Sequence, residues 1–177
     1  MAVKDIMDLP FPDDEVDNIH EIDYENLAKE GKEGIIFDLD NTLSPWQQER
    51  LDKEVTELFW HLRDLGFRIG ILTNGNGSKV RSHLQNLSYP VIFNASKPRR
   101  KGFKQMLNHL EVTPEQAVMI GDQLLTDVLG ANRLNIHSIL VRPVKPGQEY
   151  LLTKINRVLE NLLLGGRKIF RFLGRLF

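Results

Sequence analysis

The run Asp38-Leu39-Asp40-Asn41-Thr42 sets two carboxylates two residues apart, so in an extended backbone both project to the same side and could share a substrate. Such a pair by itself also occurs in many turns and solvated loops. Here it directly follows the apolar run Gly34-Ile35-Ile36-Phe37, and two carboxylates at the end of a buried strand repel unless a cation neutralises them. An oxygen-liganded divalent ion is the natural answer, with Asp122 as a third hard ligand. Magnesium suits so sparse a set, because it keeps waters and takes few carboxylates plus phosphate oxygens. The chain has no Asp-x-Asp-x-Asp-Gly calcium loop, and its histidines, at positions 20, 61, 83, 109 and 137, lack zinc-site spacing.

Three more segments carry reactive groups. Thr73-Asn74-Gly75 offers a hydroxyl and two amides at the start of an expected helix, whose dipole favours an anion, so it reads as a phosphate seat. The following Gly75-Asn76-Gly77-Ser78-Lys79 lacks the spacing of a nucleotide-triphosphate loop and reads as a turn with a helix cap. Lys97 opens the basic cluster Lys97-Pro98-Arg99-Arg100-Lys101, which is either a solvated face or a phosphate-steering patch. Lys97 itself stands before Pro98, where its ammonium could lean over the site and offset charge on a phosphoryl group. Asp127 follows Asp122 by five residues and is either a further site carboxylate or a plain helix-start acid.

What must position these groups is a sheet. From Gly34 onward short apolar runs alternate with amphipathic stretches, the pattern of an α/β fold whose parallel strands are buried on both faces. Strands are expected at Gly34-Phe37, Arg68-Leu72, Pro90-Phe93, Ala117-Ile120 and Ser138-Val141. Helices are expected at about Leu51-Leu65, Ser78-Leu87, Arg99-Leu110, Leu124-Leu134 and Glu149-Leu164. Thr113-Pro114-Glu115-Gln116 predicts a short capped turn before the fourth of these strands, and Gly66 a left-handed end to the first helix. Ligands of such sheets bind outside the carboxyl ends of the strands, where Asp38, Asp40, Thr73, Lys97 and Asp122 all fall.

The length fits one domain with a real core, and the formal net charge of -1 does not point to nucleic acid. With no cysteine, disulfides, zinc thiolates and thiol nucleophiles are excluded. No secretory signal or membrane-spanning run is read in the sequence, and a cytoplasmic protein is expected, at most peripheral to a membrane. Residues 1–33 are acidic and read as an arm on the domain edge, residues 34–160 as the catalytic core, and residues 161–177 as a basic C-terminal segment.

In order and as a set, these residues resemble the four motifs of the haloacid dehalogenase (HAD) superfamily, over about residues 34 to 142. Asp38-Leu39-Asp40-Asn41-Thr42 is similar to motif one, with Asn41 where glycine is more usual. Thr73 resembles motif two, Lys97-Pro98 motif three, and Gly121-Asp122 through Asp127 motif four. The lead-in from Leu9-Pro10 to Tyr24 and the Asp-Leu-Asp-Asn-Thr form look like subfamily IIIA and its YqeG group, whose relatives include a mitochondrial phosphatidylglycerophosphate phosphatase. The resemblance implies a three-layer α/β/α Rossmann-like fold with a mainly parallel five-stranded sheet. It further implies a phosphatase with Asp38 as nucleophile and Asp40 as acid and base. Magnesium would be held by Asp38, the Asp40 main-chain carbonyl and Asp122, with Thr73 and Lys97 on the phosphate and Asp127 orienting the metal's waters or Lys97.

The segments after motifs one and two are each long enough for one helix and one strand, leaving no room for a large cap domain. An open rim suits a phosphate displayed on something large: a lipid surface, a protein or a nucleic acid. If residues 162–177 are helical, Leu162, Leu163, Gly166, Ile169, Phe170, Leu173, Leu176 and Phe177 share one arc and Arg167, Lys168, Arg171 and Arg175 the opposite one. That pattern suits either an anionic membrane surface or packing on the domain or a second subunit, and with the open rim it favours a phosphorylated lipid as substrate.

Overall fold

The computed structural model describes residues 11–45, 50–76, 84 and 89–145. Strand β1 (Asp14–Val16) leads through a 3-10 turn (Ile19–Glu21) and helix α1 (Tyr24–Lys29) to β2 (Gly34–Phe37), helix α2 (Lys53–Asp64) and β3 (Arg68–Leu72). Then come β4 (Val91–Ile92), helix α3 (Arg100–Leu110), a 3-10 turn (Pro114–Gln116) and β5 (Ala117–Gly121). A π-helical turn (Leu124–Val128), helix α4 (Leu129–Asn132) and β6 (His137–Val141) follow.

The strands form one sheet in the order β1-β6-β5-β2-β3-β4, and every pairing is parallel. The five expected strands are present, and β1 makes a sixth. Asp14-Glu15-Val16 offers one apolar side chain and pairs by main chain with Ile139, Leu140 and Val141. Acidic side chains fix it there: Asp13 Oδ2 accepts from Ser138 N at 2.9 Å and Oγ at 3.0 Å, Asp14 Oδ2 meets His137 Nε2 at 2.8 Å, and Asp17 pairs with Arg142 at 2.9 Å. The acids of this edge strand are therefore pairing devices. Strand β4 is shorter than expected, starting after Pro90, which has no N–H to give a ladder.

The helices lie on both faces of the sheet. Helix α2 buries Val55, Phe59 and Leu62, one stripe at helical spacing, with Phe59 stacked on Phe37 of β2 at 5.4 Å between centroids. It ends where Gly66 takes φ +91°, the left-handed conformation that costs a glycine least. Helix α3 buries Phe103, Met106, Leu107 and Leu110 with Ile36, Leu72 and Met119 of the sheet. Ile35, Phe37, Ile69, Ile71, Val118 and Ile120 meet α1 and α2 in a separate cluster. Fully apolar strands are required by this sandwiching.

The expected helix at 124–134 begins as the π-helical turn and becomes α-helical only over Leu129–Asn132. Of the helix expected at 78–87 only Leu84 is among the described residues, buried in the core. The helix expected at 149–164 and the segment 161–177 lie outside them. Among the described residues no helix is long and apolar enough to cross a membrane.

Candidate active site

The chain leaves β2 toward β3 and β4, then crosses back to set β5 on the other side of β2. This reversal opens a crevice at the carboxyl ends of the central strands, between their diverging connections. Asp38 follows β2, Thr73 follows β3, Asp122 follows β5, and Lys97 lies between β4 and α3.

Asp38, Thr73, Lys97, Asp122 and Asp127 are all buried. Lys97 Nζ donates to Asp38 Oδ1 at 2.5 Å and to Asp127 Oδ1 at 2.6 Å. Burial acts to lower the Lys97 ammonium, but the Asp127 and Asp38 carboxylates outweigh it, so the amine is held protonated above its ordinary range. Thr42 Oγ1 lies 3.3 Å from Asp38 Oδ2 and 3.5 Å from Asp122 Oδ1, a hydroxyl between two strand-end carboxylates. The Asp40 Oδ2 accepts from Thr73 Oγ1 at 3.0 Å. Burial first, and then the charge of Asp38, push the Asp40 carboxyl upward, with the Thr73 bond and Lys97 opposing. An acid so raised is suited to carry a proton.

The main chain is shaped to let these groups meet. Asn41 takes φ +66°, which explains why glycine is at home there and why asparagine, a side chain tolerant of left-handed backbone, can replace it. A Cβ on Gly121 would lie 2.4 Å from Asp127 Oδ2, so only glycine lets the π-helical turn bring that carboxylate back over the end of β5. Gln123 N caps the same oxygen at 3.2 Å. The wide turn is the local cost of aiming Asp127 at Lys97, and π turns recur where function distorts a helix.

Asn74, expected among the phosphate ligands, has its side-chain amide on Lys97: Nδ2 donates to Lys97 O at 3.1 Å and Oδ1 accepts from Lys97 N at 2.6 Å. The Gly75 amide donates to Thr73 Oγ1 at 2.9 Å. Neither this grip nor the bridging position of Thr42 is visible from residue type. Thr42 could have been singled out by its place four residues after Asp38 and the need of two neighbouring carboxylates for a shared donor.

Asp38, Asp122 and Asp127 each offer an oxygen within 4.8 Å of the others. The Lys97 ammonium meets two of these three buried carboxylates, Asp38 and Asp127, and every donor of the three is a hard oxygen. That excess negative charge and donor chemistry fit a divalent cation of the magnesium type.

Comparison with known proteins shows the family. Residues 94–163 match the HAD-hydrolase-like family. The chain is 39% identical over 158 residues to "Probable phosphatase YqeG" of Bacillus subtilis (strain 168), covering 89% of this chain and 91% of that one. It is 25% identical over 178 residues to phosphatidylglycerophosphate phosphatase 1 of Arabidopsis thaliana, covering 93% of this chain but 49% of that protein. A crystal structure from Listeria monocytogenes serotype 4b superposes with a TM-score of 0.53 at 24% identity, covering 67% of this chain and 85% of that one, a likeness of fold.

Proposed function

The chain belongs to the YqeG group of HAD-like phosphatases, and from that premise we propose that it is a magnesium-dependent phosphomonoester hydrolase working through an aspartyl phosphate. The observation that carries this reading is the meeting of Asp38, Lys97 and Asp127 through a single ammonium, beside Asp122.

In the first transfer a carboxylate oxygen of Asp38 attacks phosphorus as the bond to the leaving oxygen breaks, and Asp40 gives that oxygen its proton. In the second, Asp40 takes a proton from water, the water oxygen attacks phosphorus, and the bond to Asp38 breaks to release inorganic phosphate. The raised Asp40 carboxyl favours the first role, and the bond from Thr73 fixes its orientation. Lys97 keeps Asp38 oriented and offsets charge on the phosphoryl oxygens. Magnesium would be held by Asp38, the Asp40 main-chain carbonyl and Asp122, and would supply charge neutralisation on the phosphoryl group. Asp127 acts through Lys97, and Thr73 with the Asn74-Gly75 segment borders the phosphate.

For the substrate we favour a phosphorylated lipid head group such as that of phosphatidylglycerophosphate. Support comes from the Arabidopsis relative that aligns along 93% of this chain, and from segment lengths after Thr42 and Gly75 that leave the rim without a large cap. Glyceraldehyde 3-phosphate phosphatases of archaea align over less of the chain, 44% for that of Pyrococcus abyssi (strain GE5 / Orsay). A peripheral position on the cytoplasmic face of a membrane follows from the lipid reading, with the basic segment 161–177 as a second contact.

The chemistry is tested by magnesium-dependent phosphate release from an aryl phosphate: Asp38→Asn should abolish it, and an unchanged rate would overturn the mechanism. The substrate is tested by comparing phosphatidylglycerophosphate in neutral detergent micelles with soluble phosphoesters, where a preference for the soluble esters would sink the lipid reading.

A further inference from the structure

From Leu65 to Leu110 the sequence holds no Asp or Glu and eight Lys or Arg, within a chain whose formal net charge is -1. The described part of this stretch ends in α3, whose exposed stripe is Arg100, Lys101, Lys104, Gln105, Asn108 and His109. Arg99, also exposed, occupies the N-cap position without making a side-chain cap. Exposed Arg133 joins them across the rim, its Nη1 donating to Pro98 O at 3.3 Å.

Folding does not explain this placement. A helix N-terminus carries partial positive charge and favours acids, yet the first turn of α3 has none and begins with successive bases. A local rule broken without a compensating contact among the described residues calls for an explanation other than helix stability. The bases stand at the end of α3 that adjoins Lys97, at the mouth of the crevice. No aromatic side chain is exposed among them, since Phe103 is fully buried, so the face lacks the stacking groups of a single-stranded nucleic-acid platform.

We propose that the N-terminal half of α3, through Arg100, Lys101 and Lys104 with Arg99 and Arg133 at its border, is an electrostatic docking surface for an anionic lipid bilayer. It would hold the crevice against the membrane so that a phosphorylated head group reaches Asp38; in this it rests on the lipid reading above. Basic side chains at an anionic bilayer act as a sum of screened charges, so the contact is strong at low salt and weak at high salt.

The test uses the full chain carrying R100E, K101E and K104E together; all three sites are exposed, glutamate is a good helix former, and at 100 and 101 the α3 dipole favours an acid, so the helix stays foldable. Binding is read by sedimentation with substrate-free phosphatidylglycerol–phosphatidylcholine vesicles and with phosphatidylcholine alone. The unmodified chain should bind only the anionic vesicles, in a salt-sensitive way, and the triple variant should bind more than about tenfold more weakly. Both should release phosphate equally from a soluble aryl phosphate and from phosphatidylglycerophosphate in neutral detergent micelles. Equal vesicle binding by the two proteins overturns the docking surface, as does a parallel loss on the aryl phosphate, which would make the bases steer small anions. Tighter binding to a nucleic-acid duplex than to anionic vesicles at one ionic strength also overturns it. Failure of the unmodified chain on micellar lipid would sink the substrate reading alone, because docking is measured without substrate.

Discussion

Asn74 grips Lys97 with both ends of its amide, accepting from Lys97 N at 2.6 Å and donating to Lys97 O at 3.1 Å. The loop that delivers the ammonium to Asp38 is thereby fastened to the end of β3. Asn74→Ala should lower kcat on an aryl phosphate by about 10- to 100-fold with a smaller change in KM, since a loosened Lys97 affects the transferring group most. Two lost bonds should also cost roughly 1–3 kcal/mol in urea melts. An unchanged kcat would assign Asn74 to the phosphate or to nothing at all.

Two of three clustered, buried carboxylates, Asp38 and Asp127, share the Lys97 ammonium beside Asp122, so the site should be relieved by a divalent cation. Magnesium is expected to raise Tm, by about 2.7 kcal/mol of stability at a hundredfold excess over its Kd, and a chelator should reverse the gain. Asp122→Asn should remove most of that response. Identical melting with and without magnesium would contradict the proposed cation site.

Gly121 faces Asp127 so closely that an added Cβ would fall 2.4 Å from its Oδ2. Gly121→Ala should cost about 1–3 kcal/mol and disturb the Lys97–Asp127 pair, lowering kcat with it. Normal turnover by a stable Gly121→Ala protein would show that the approach is dispensable.

Phe59 stacks on Phe37 at 5.4 Å and meets Tyr89 edge-on at 5.2 Å, on the α2 face of the sheet. Phe59→Ala should lose about 3–5 kcal/mol in equilibrium unfolding while KM for an aryl phosphate stays close to normal, because the ring belongs to the apolar core cluster on the α2 face. A changed KM without a change in stability would reverse that assignment.

How far the sequence could be read follows from what each element depends on. Strands β2, β3 and β5 are buried on both faces, so their apolar runs announced them to within a residue, and with them the strand ends that hold Asp38, Thr73 and Asp122. Strand β1 gave no such signal, because its partners are the main chain of β6 and the polar groups of Ser138, His137 and Arg142. The π-helical turn was hidden for a different reason: its geometry answers to Lys97, 30 residues before Asp127 in the chain. The two-handed use of Asn74 was likewise beyond pattern, since it depends on where a distant loop comes to rest.

Strand β1 is synthesised first and pairs with the last strand described, Asp13 meeting Ser138 across a separation of 125 residues. Every proposed site residue, from Asp38 to Asp127, lies inside that span. On a growing chain the central strands can therefore find one another and shape the crevice before β6 exists, while β1 must wait. Its acids keep the waiting segment solvated and poorly suited to pairing with other chains. Closure of this edge needs β6, the last strand described, to have been made, whereas the pairing of β2 with β3 and β5 does not.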